Sequence, residues 1–127
     1  MAALELYRRD VADPGKSFEK RAEWFCWATF ERLSARKCCA EWLREAGATL
    51  GGDARQPLLE AAEHYAKAFS LYERYRVAAH AGDPMETNVL KFARDPEHLA
   101  VMLPLLDQGI AEERAGIEAL RKAVATW

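Results

Sequence analysis

Hydrophobic residues recur every three or four positions in three long segments of the chain. The last segment shows this pattern most clearly, at Leu99, Met102, Leu106, Ile110, Ile117, Leu120 and Val124. The middle segment shows it at Leu58, Ala62, Tyr65, Phe69 and Tyr72. This spacing is typical of helices that bury one face, whereas the alternating β-branched runs of strands do not occur. The pattern therefore predicts an all-α protein.

Proline and glycine clusters divide the chain into helices. They predict helices near residues 17–46, 57–80, 85–92 and 96–125, with a further short helix near 2–11. Asp95 followed by Pro96 is a helix-start signature. At 127 residues, without a repeat or a linker, the chain predicts one domain over residues 1–127. We expect an antiparallel bundle of about four helices. Because the apolar stripe keeps its phase across Pro104, we expect a kink there and not a chain reversal.

The first long segment carries two apolar stripes. One contains Phe18, Ala22, Phe25, Cys26, Phe30 and Leu33. Its continuation meets Arg36 and Lys37, which are polar. The other contains Trp24, Ala28, Ala35, Cys38, Trp42 and Ala46. Either the helix breaks near Ser34, which can cap a new start, or it is continuous and buried on two faces. We favour the continuous helix.

Two buried faces would place this helix at the centre of the bundle or in a subunit contact. We therefore predict that Trp24 and Trp42 are buried, with small neighbours that admit a close partner. Trp27 lies off both stripes. It is either an interface anchor or an ordinary exposed apolar residue.

Glu113 interrupts the apolar stripe of the last segment, and Gly109 and Gly116 flank it on the same side. Glycine inside a helix costs about 1 kcal/mol relative to alanine, so two of them predict a close backbone approach or a notch. A buried carboxylate needs a partner, and Arg76 in the middle segment is the predicted one. This interpretation, a structural ion pair, is the favoured one.

A second interpretation makes Glu113 the polar anchor of a pocket for a small organic ligand. That pocket would be lined by Tyr65, Phe69, Gly109 and Gly116, and Arg76 is a further candidate ligand-binding residue. A catalytic acid or base is the third interpretation, since perturbed carboxylates also occur at active sites.

Composition and motifs exclude several other classes. The net charge is −2 without a basic block, which argues against nucleic-acid binding. No apolar run is long enough for a membrane span, and the N-terminus lacks a secretory pattern. Three cysteines, an odd number, predict reduced thiols in a cytoplasmic protein, packed as small hydrophobic residues. His and Cys spacings for a metal site are missing, so we expect no metal and no cofactor. Catalytic motifs are missing too, which makes an enzyme the third-ranked interpretation after the interaction module and the ligand pocket. The histidines are expected in surface or capping roles, as for His80 and His98 near helix ends.

Three runs of sequence carry a family resemblance. They read Ala-Arg-Lys-Cys-Cys-Ala-Glu-Trp-Leu at 35–43, Leu-Leu-Glu-Ala-Ala-Glu-His-Tyr at 58–65 and Glu-Glu-Arg-Ala-Gly-Ile-Glu-Ala-Leu at 112–120. The region from about 35 to 120 resembles the C-terminal helical region of proteins similar to butirosin biosynthesis protein H. In that family a cysteine-dependent acyl-transfer or peptidase-like domain precedes these helices, and this chain has no counterpart of it. The resemblance implies a detached accessory helical domain and transfers no catalytic residue.

These observations lead to one functional expectation and one alternative. We expect a non-enzymatic helical interaction module whose partner is a second copy of itself, as a homodimer, or another protein. Trp24, Trp27 and Trp42 are the candidate interface residues. The alternative is the small-organic-ligand pocket at Glu113.

Overall fold

The computed structural model describes residues 5–6, 8–9, 12–13, 19–80 and 95–126, with side chains left undescribed at 19–32 and 79–80. Three long helices lie in this part of the chain: α1 at Glu19–Thr49, α2 at Arg55–His80 and α3 at Pro96–Ala125. These ranges contain no strand, so the predicted all-α class is confirmed. Glu5, Leu6, Arg8 and Arg9 are also helical, within the N-terminal helix predicted near 2–11, and Ala12 just after it is helical too. The helix predicted at 85–92 lies outside the described residues.

Helix α1 is continuous through Ser34, as favoured from the sequence. It runs three residues past the predicted end, and Gly47 is buried against the Leu59 side chain. The turn into α2 contains Gly52 at φ 75°, a left-handed conformation that glycine adopts without strain. A short loop therefore returns the chain directly into α2.

Helix α3 begins as the sequence predicts. The Asp95 carboxylate accepts a hydrogen bond of 3.0 Å from the Glu97 backbone N–H, and Pro96 occupies the first turn. The helix passes through Pro104 without a chain reversal, with the proline exposed on its outer side. Among the described residues, no helix combines the length and apolarity that crossing a membrane requires.

Helix α2 is the central element of the described structure, since it packs along both α1 and α3. Three of its alanines, Ala61, Ala62 and Ala68, are fully buried, which lets the neighbouring helices approach closely. The core has two parts. One contains Leu33, Ala68, Tyr72, Tyr75, Met102, Leu105, Leu106 and Ile110, and the other Leu43, Leu58, Ala61, Ala62, Ala119 and Ala123.

The prediction that α1 is buried on two faces is wrong. Trp42 is 63% exposed, and Ala35 and Cys38 on the same stripe are also exposed. Among the described side chains of α1, which begin at Leu33, the buried ones lie on one face, and this face continues the first stripe. The buried positions on that face after Leu33 are Ala40, Leu43 and Gly47. The side chains of Trp24 and Trp27 lie outside the described ones.

Candidate functional site

A bidentate ion pair between α1 and α3 is the best-defined polar feature of the interior. Arg36 donates from Nε to Glu113 Oε1 at 2.7 Å and from Nη2 to Oε2 at 2.9 Å. The Glu113 side chain is 4% exposed and that of Arg36 21%. The hydrogen bonds to Glu113 raise the pKa of Arg36 above its ordinary value. Parallel N–H···O bonds of this kind are among the strongest in proteins, because both partners are charged and matched in shape.

The two glycines of α3 make room for tyrosine rings on either side of Glu113. A Cβ at Gly109 would come within 2.8 Å of Tyr72 Cζ and closer still to Cε1. A Cβ at Gly116 would lie 3.1 Å from Tyr65 Cε2. Of the two predicted alternatives, the contacts correspond to a notch: side-chain atoms, chiefly of one tyrosine ring, occupy the space beside each glycine.

Cys39 and Tyr65 complete the surroundings of the ion pair, since both interact electrostatically with Arg36 and Glu113. Burial raises the pKa of the Cys39 thiol and the pKa of the Tyr65 hydroxyl. Desolvation thus keeps both groups in their neutral form. A catalytic nucleophile needs the opposite shift, toward the thiolate, so this cluster has the character of a structural site.

The predicted partner of Glu113 is wrong. Arg76 forms a fork with Glu73 on its own helix instead, at 2.6 and 3.1 Å. A partner three residues away on the same helix turn is within easy reach, so Arg76 never needs to enter the core. Phe69 packs against the core cluster that contains Tyr72. In the alternative interpretation, Glu113 anchors a small organic ligand. In the structure both oxygens of its carboxylate already accept hydrogen bonds from Arg36.

Arg36 is the partner of Glu113, and we did not predict this pairing from the sequence. Its position on the first stripe of α1 appears in the pattern as a polar interruption, and we interpreted it as the end of that stripe. Glu113 interrupts the stripe of α3 in the same way, with the opposite charge. Two residues of opposite charge, each interrupting an apolar stripe, are the sequence signal from which this ion pair could have been predicted.

The described histidines have structural partners. His98 donates from Nε2 to the Ala78 carbonyl at 2.7 Å, in the last turn of α2, so the predicted capping role is confirmed there. His64 Nδ1 lies 2.6 Å from Glu112 Oε2. Within the described residues, no three His, Cys, Asp or Glu side chains cluster closely enough to hold a metal ion.

The N-terminal residues are tied to α3 by two ion pairs. Arg8 forks onto Asp107 at 2.8 and 3.0 Å, and Arg114 pairs with Glu5. Arg8 lowers the pKa of the Asp107 carboxyl below its ordinary value. All four side chains are substantially exposed, so each pair contributes little on its own.

The outer face of α1 carries the residues that we call the Trp42 face, namely Ala35, Cys38 and Trp42. All three are exposed, and Cys38 is a free thiol. Lys37 and Glu41 on the same helix are also exposed. The predicted packing of Cys38 as a small core residue is wrong, because this stripe points away from α2.

Comparison with protein-family models, curated proteins and solved structures finds no match. The resemblance to the butirosin biosynthesis protein H family therefore stays a prediction.

Proposed function

We propose that this protein is a non-enzymatic helical interaction module that self-associates through the Trp42 face of α1. The observation that carries the proposal is the 63% exposure of Trp42, next to Ala35 and Cys38, which are exposed as well. Tryptophan is enriched among the residues that dominate binding energy at protein interfaces. The site at Glu113 then has a structural role, holding α1 and α3 in place.

The exposed part of Trp42 is large enough to matter energetically. A tryptophan buries roughly 150–250 Å² when fully covered. At about 25 cal/mol per Å², covering the exposed part contributes about 2–4 kcal/mol for each copy. An isologous dimer would bury two such side chains, which is the size of effect expected from interface hot spots.

A second copy of this chain suits the face better than an unrelated partner. The face presents a large side chain, Trp42, and two small ones, Ala35 and Cys38. Each copy therefore offers both a side chain that can insert and a region of small side chains that can receive it. A two-fold interface requires a patch that complements itself in this way.

The same proposal includes an antiparallel bundle of four helices. In its support, Tyr65 lies at Gly116 and Tyr72 lies at Gly109. Residue numbers therefore increase along α2 in the direction in which they decrease along α3, as in an antiparallel pair of helices. Between α1 and α2, Leu33 shares one core cluster with Tyr72 and Leu43 shares the other with Leu58, so residue numbers again run in opposite directions. The helical N-terminal residues, paired with α3, would supply the fourth helix. A free exposed thiol at Cys38 suits a reducing, cytoplasmic setting.

Sedimentation equilibrium tests self-association directly. We expect wild-type protein at micromolar concentration to have twice the monomer mass of 14.3 kDa. Trp42→Glu should shift the population to monomer, because it places a charge in the contact. Val124→Glu is the matched control: Val124 is 70% exposed on α3, away from the Trp42 face, and its substitution should leave the dimer intact. A wild-type monomer at every concentration would overturn the proposal, and so would a dimer that tolerates Trp42→Glu.

A further inference from the structure

The helical N-terminal residues form a strap across α3, and we use this name for Glu5, Leu6, Arg8, Arg9 and Ala12. We propose that the strap is a cover held on α3 by charge, which detaches when its two ion pairs are screened while α1, α2 and α3 stay packed. Its release uncovers the side of α3 that carries Ile110. The proposal does not depend on self-association through the Trp42 face.

The two ion pairs anchor the strap along one stripe of α3. Arg8 pairs with Asp107, and Glu5 pairs with Arg114. Asp107, Ile110 and Arg114 are separated by three and four positions, so they lie on one face of α3. Ile110, between the two anchors, is buried. The strap therefore crosses α3 over this stripe.

The signs of the four charges select the direction in which the strap lies. Residue numbers rise from Glu5 to Arg8 in the strap and fall from Arg114 to Asp107 in α3, so the two run antiparallel. The reverse direction would bring Glu5 toward Asp107 and Arg8 toward Arg114, two pairs of like charge that repel. Charge complementarity of this kind contributes more to orientation and specificity than to affinity.

The described contacts of the strap are those of a reversible attachment. Its two described apolar side chains, Leu6 and Ala12, are exposed, so among the described residues the attachment rests on charged side chains. All four side chains of the two ion pairs are substantially exposed, and salt screens such pairs. The Arg36–Glu113 fork is far more buried and is screened much less. Raised ionic strength therefore weakens the strap before it loosens the packing of the three long helices.

Hydrogen exchange of the strap amides measures its release. An isolated helix this short is marginal in water, so its amides lose protection once it leaves α3. Exchange is followed by mass spectrometry in wild type and in three charge-reversed proteins, with folding checked by circular dichroism. The first carries Glu5→Arg with Arg8→Glu in the strap, the second Asp107→Arg with Arg114→Glu in α3, and the third all four changes. Each keeps the net charge of −2.

The charge reversals should act as a matched set. At low ionic strength we expect the strap amides to exchange about ten-fold faster than in wild type when either side alone is reversed. The protein with all four changes should recover the wild-type protection, because its pairs are again of opposite sign. In about 1 M NaCl, where the screening length is about 3 Å, the four proteins should converge on fast exchange of the strap. The amides of α2 should exchange alike in all four, as expected for release without unfolding.

Three outcomes would overturn the proposal. Equal protection of the strap in all four proteins at low salt would show that its attachment does not depend on charge. Faster exchange of α2 together with the strap would show that the strap unfolds only with the core. The measurement is also repeated at lower protein concentration. A strap that loses protection on dilution would be held by a second copy, which contradicts a cover within one chain.

Discussion

Removing the charge of Glu113 tests whether the Arg36 fork stabilises the fold. Glu113→Gln keeps the size of the side chain and replaces one accepting oxygen with an amide that donates. One N–H of the guanidinium then faces another donor, and the positive charge of Arg36 loses its counter-ion. The variant therefore disrupts the interaction and leaves the packing of α3 nearly unchanged.

The burial of the two side chains gives the magnitude. Glu113 is 4% exposed, so it loses nearly all of its hydration in the folded state. Breaking a buried pair by altering one member typically costs about 3–5 kcal/mol. Arg36 is 21% exposed, and water reaching its guanidinium places the cost at the lower end, about 3 kcal/mol. For a domain of this size that corresponds to a fall of about 10 °C in Tm.

A double-mutant cycle isolates the interaction. Arg36→Met and Glu113→Leu are measured singly and together by urea denaturation. The double variant should recover most of the loss, since replacing both members with apolar residues of similar volume is often neutral or stabilising. Glu73→Gln is the matched control, because the Arg76–Glu73 fork has similar distances but is more exposed, at 35% for Arg76 and 40% for Glu73. We expect it to cost less than about 1 kcal/mol. A Glu113→Gln variant as stable as wild type would refute the reasoning, and so would strictly additive single effects.

Three further predictions follow from individual contacts. Gly109→Ala should destabilise by about 1–3 kcal/mol in chemical denaturation, because its Cβ overlaps a tyrosine ring, whereas Gly116→Ala should be nearer neutral; equal effects would contradict the packing. The pKa of Asp107 lies below its usual 3.8, so its stabilisation is present above about pH 4 and disappears as the pH falls through the lowered value. Asp107→Asn should therefore cost at most about 1 kcal/mol at neutral pH and flatten the acid limb of a pH–stability curve; an unchanged limb would exclude the pair. In the Trp42→Glu background, which is expected to be monomeric, Cys38 is exposed and should react with a disulfide reagent faster than Cys39, whose raised pKa disfavours the thiolate, when Cys39→Ser and Cys38→Ser variants are compared; the reverse order would contradict the exposure of Cys38.

Local features of this fold could be predicted from the sequence because they depend on neighbouring residues. The start of α3 at Asp95 and Pro96 depends on one cap and one ring with a constrained φ. The continuity of α1 through Ser34 follows from uninterrupted helix formers on both sides. The unusual position of Glu113 could also be recognised from the sequence, because a charged residue on an apolar stripe needs a partner in any fold.

The partner of that charge depended on tertiary structure. Arg36 and Arg76 both interrupt an apolar stripe, and their sequence contexts do not decide between them. Arg76 finds Glu73 on its own helix, whereas Arg36 points across the bundle at Glu113. The distinction depends on the rotation of each helix about its axis, which is set when whole apolar faces pack.

The position of the Trp42 face was decided in the same way. The sequence determined that α1 carries two apolar stripes, because helical spacing alone defines them. Only the packing of α2 determined that the stripe through Leu33 is buried and that the stripe through Trp42 is open. A helix at the edge of the described structure has one face to bury, and which face enters the core depends on how closely its small residues let the neighbouring helix approach.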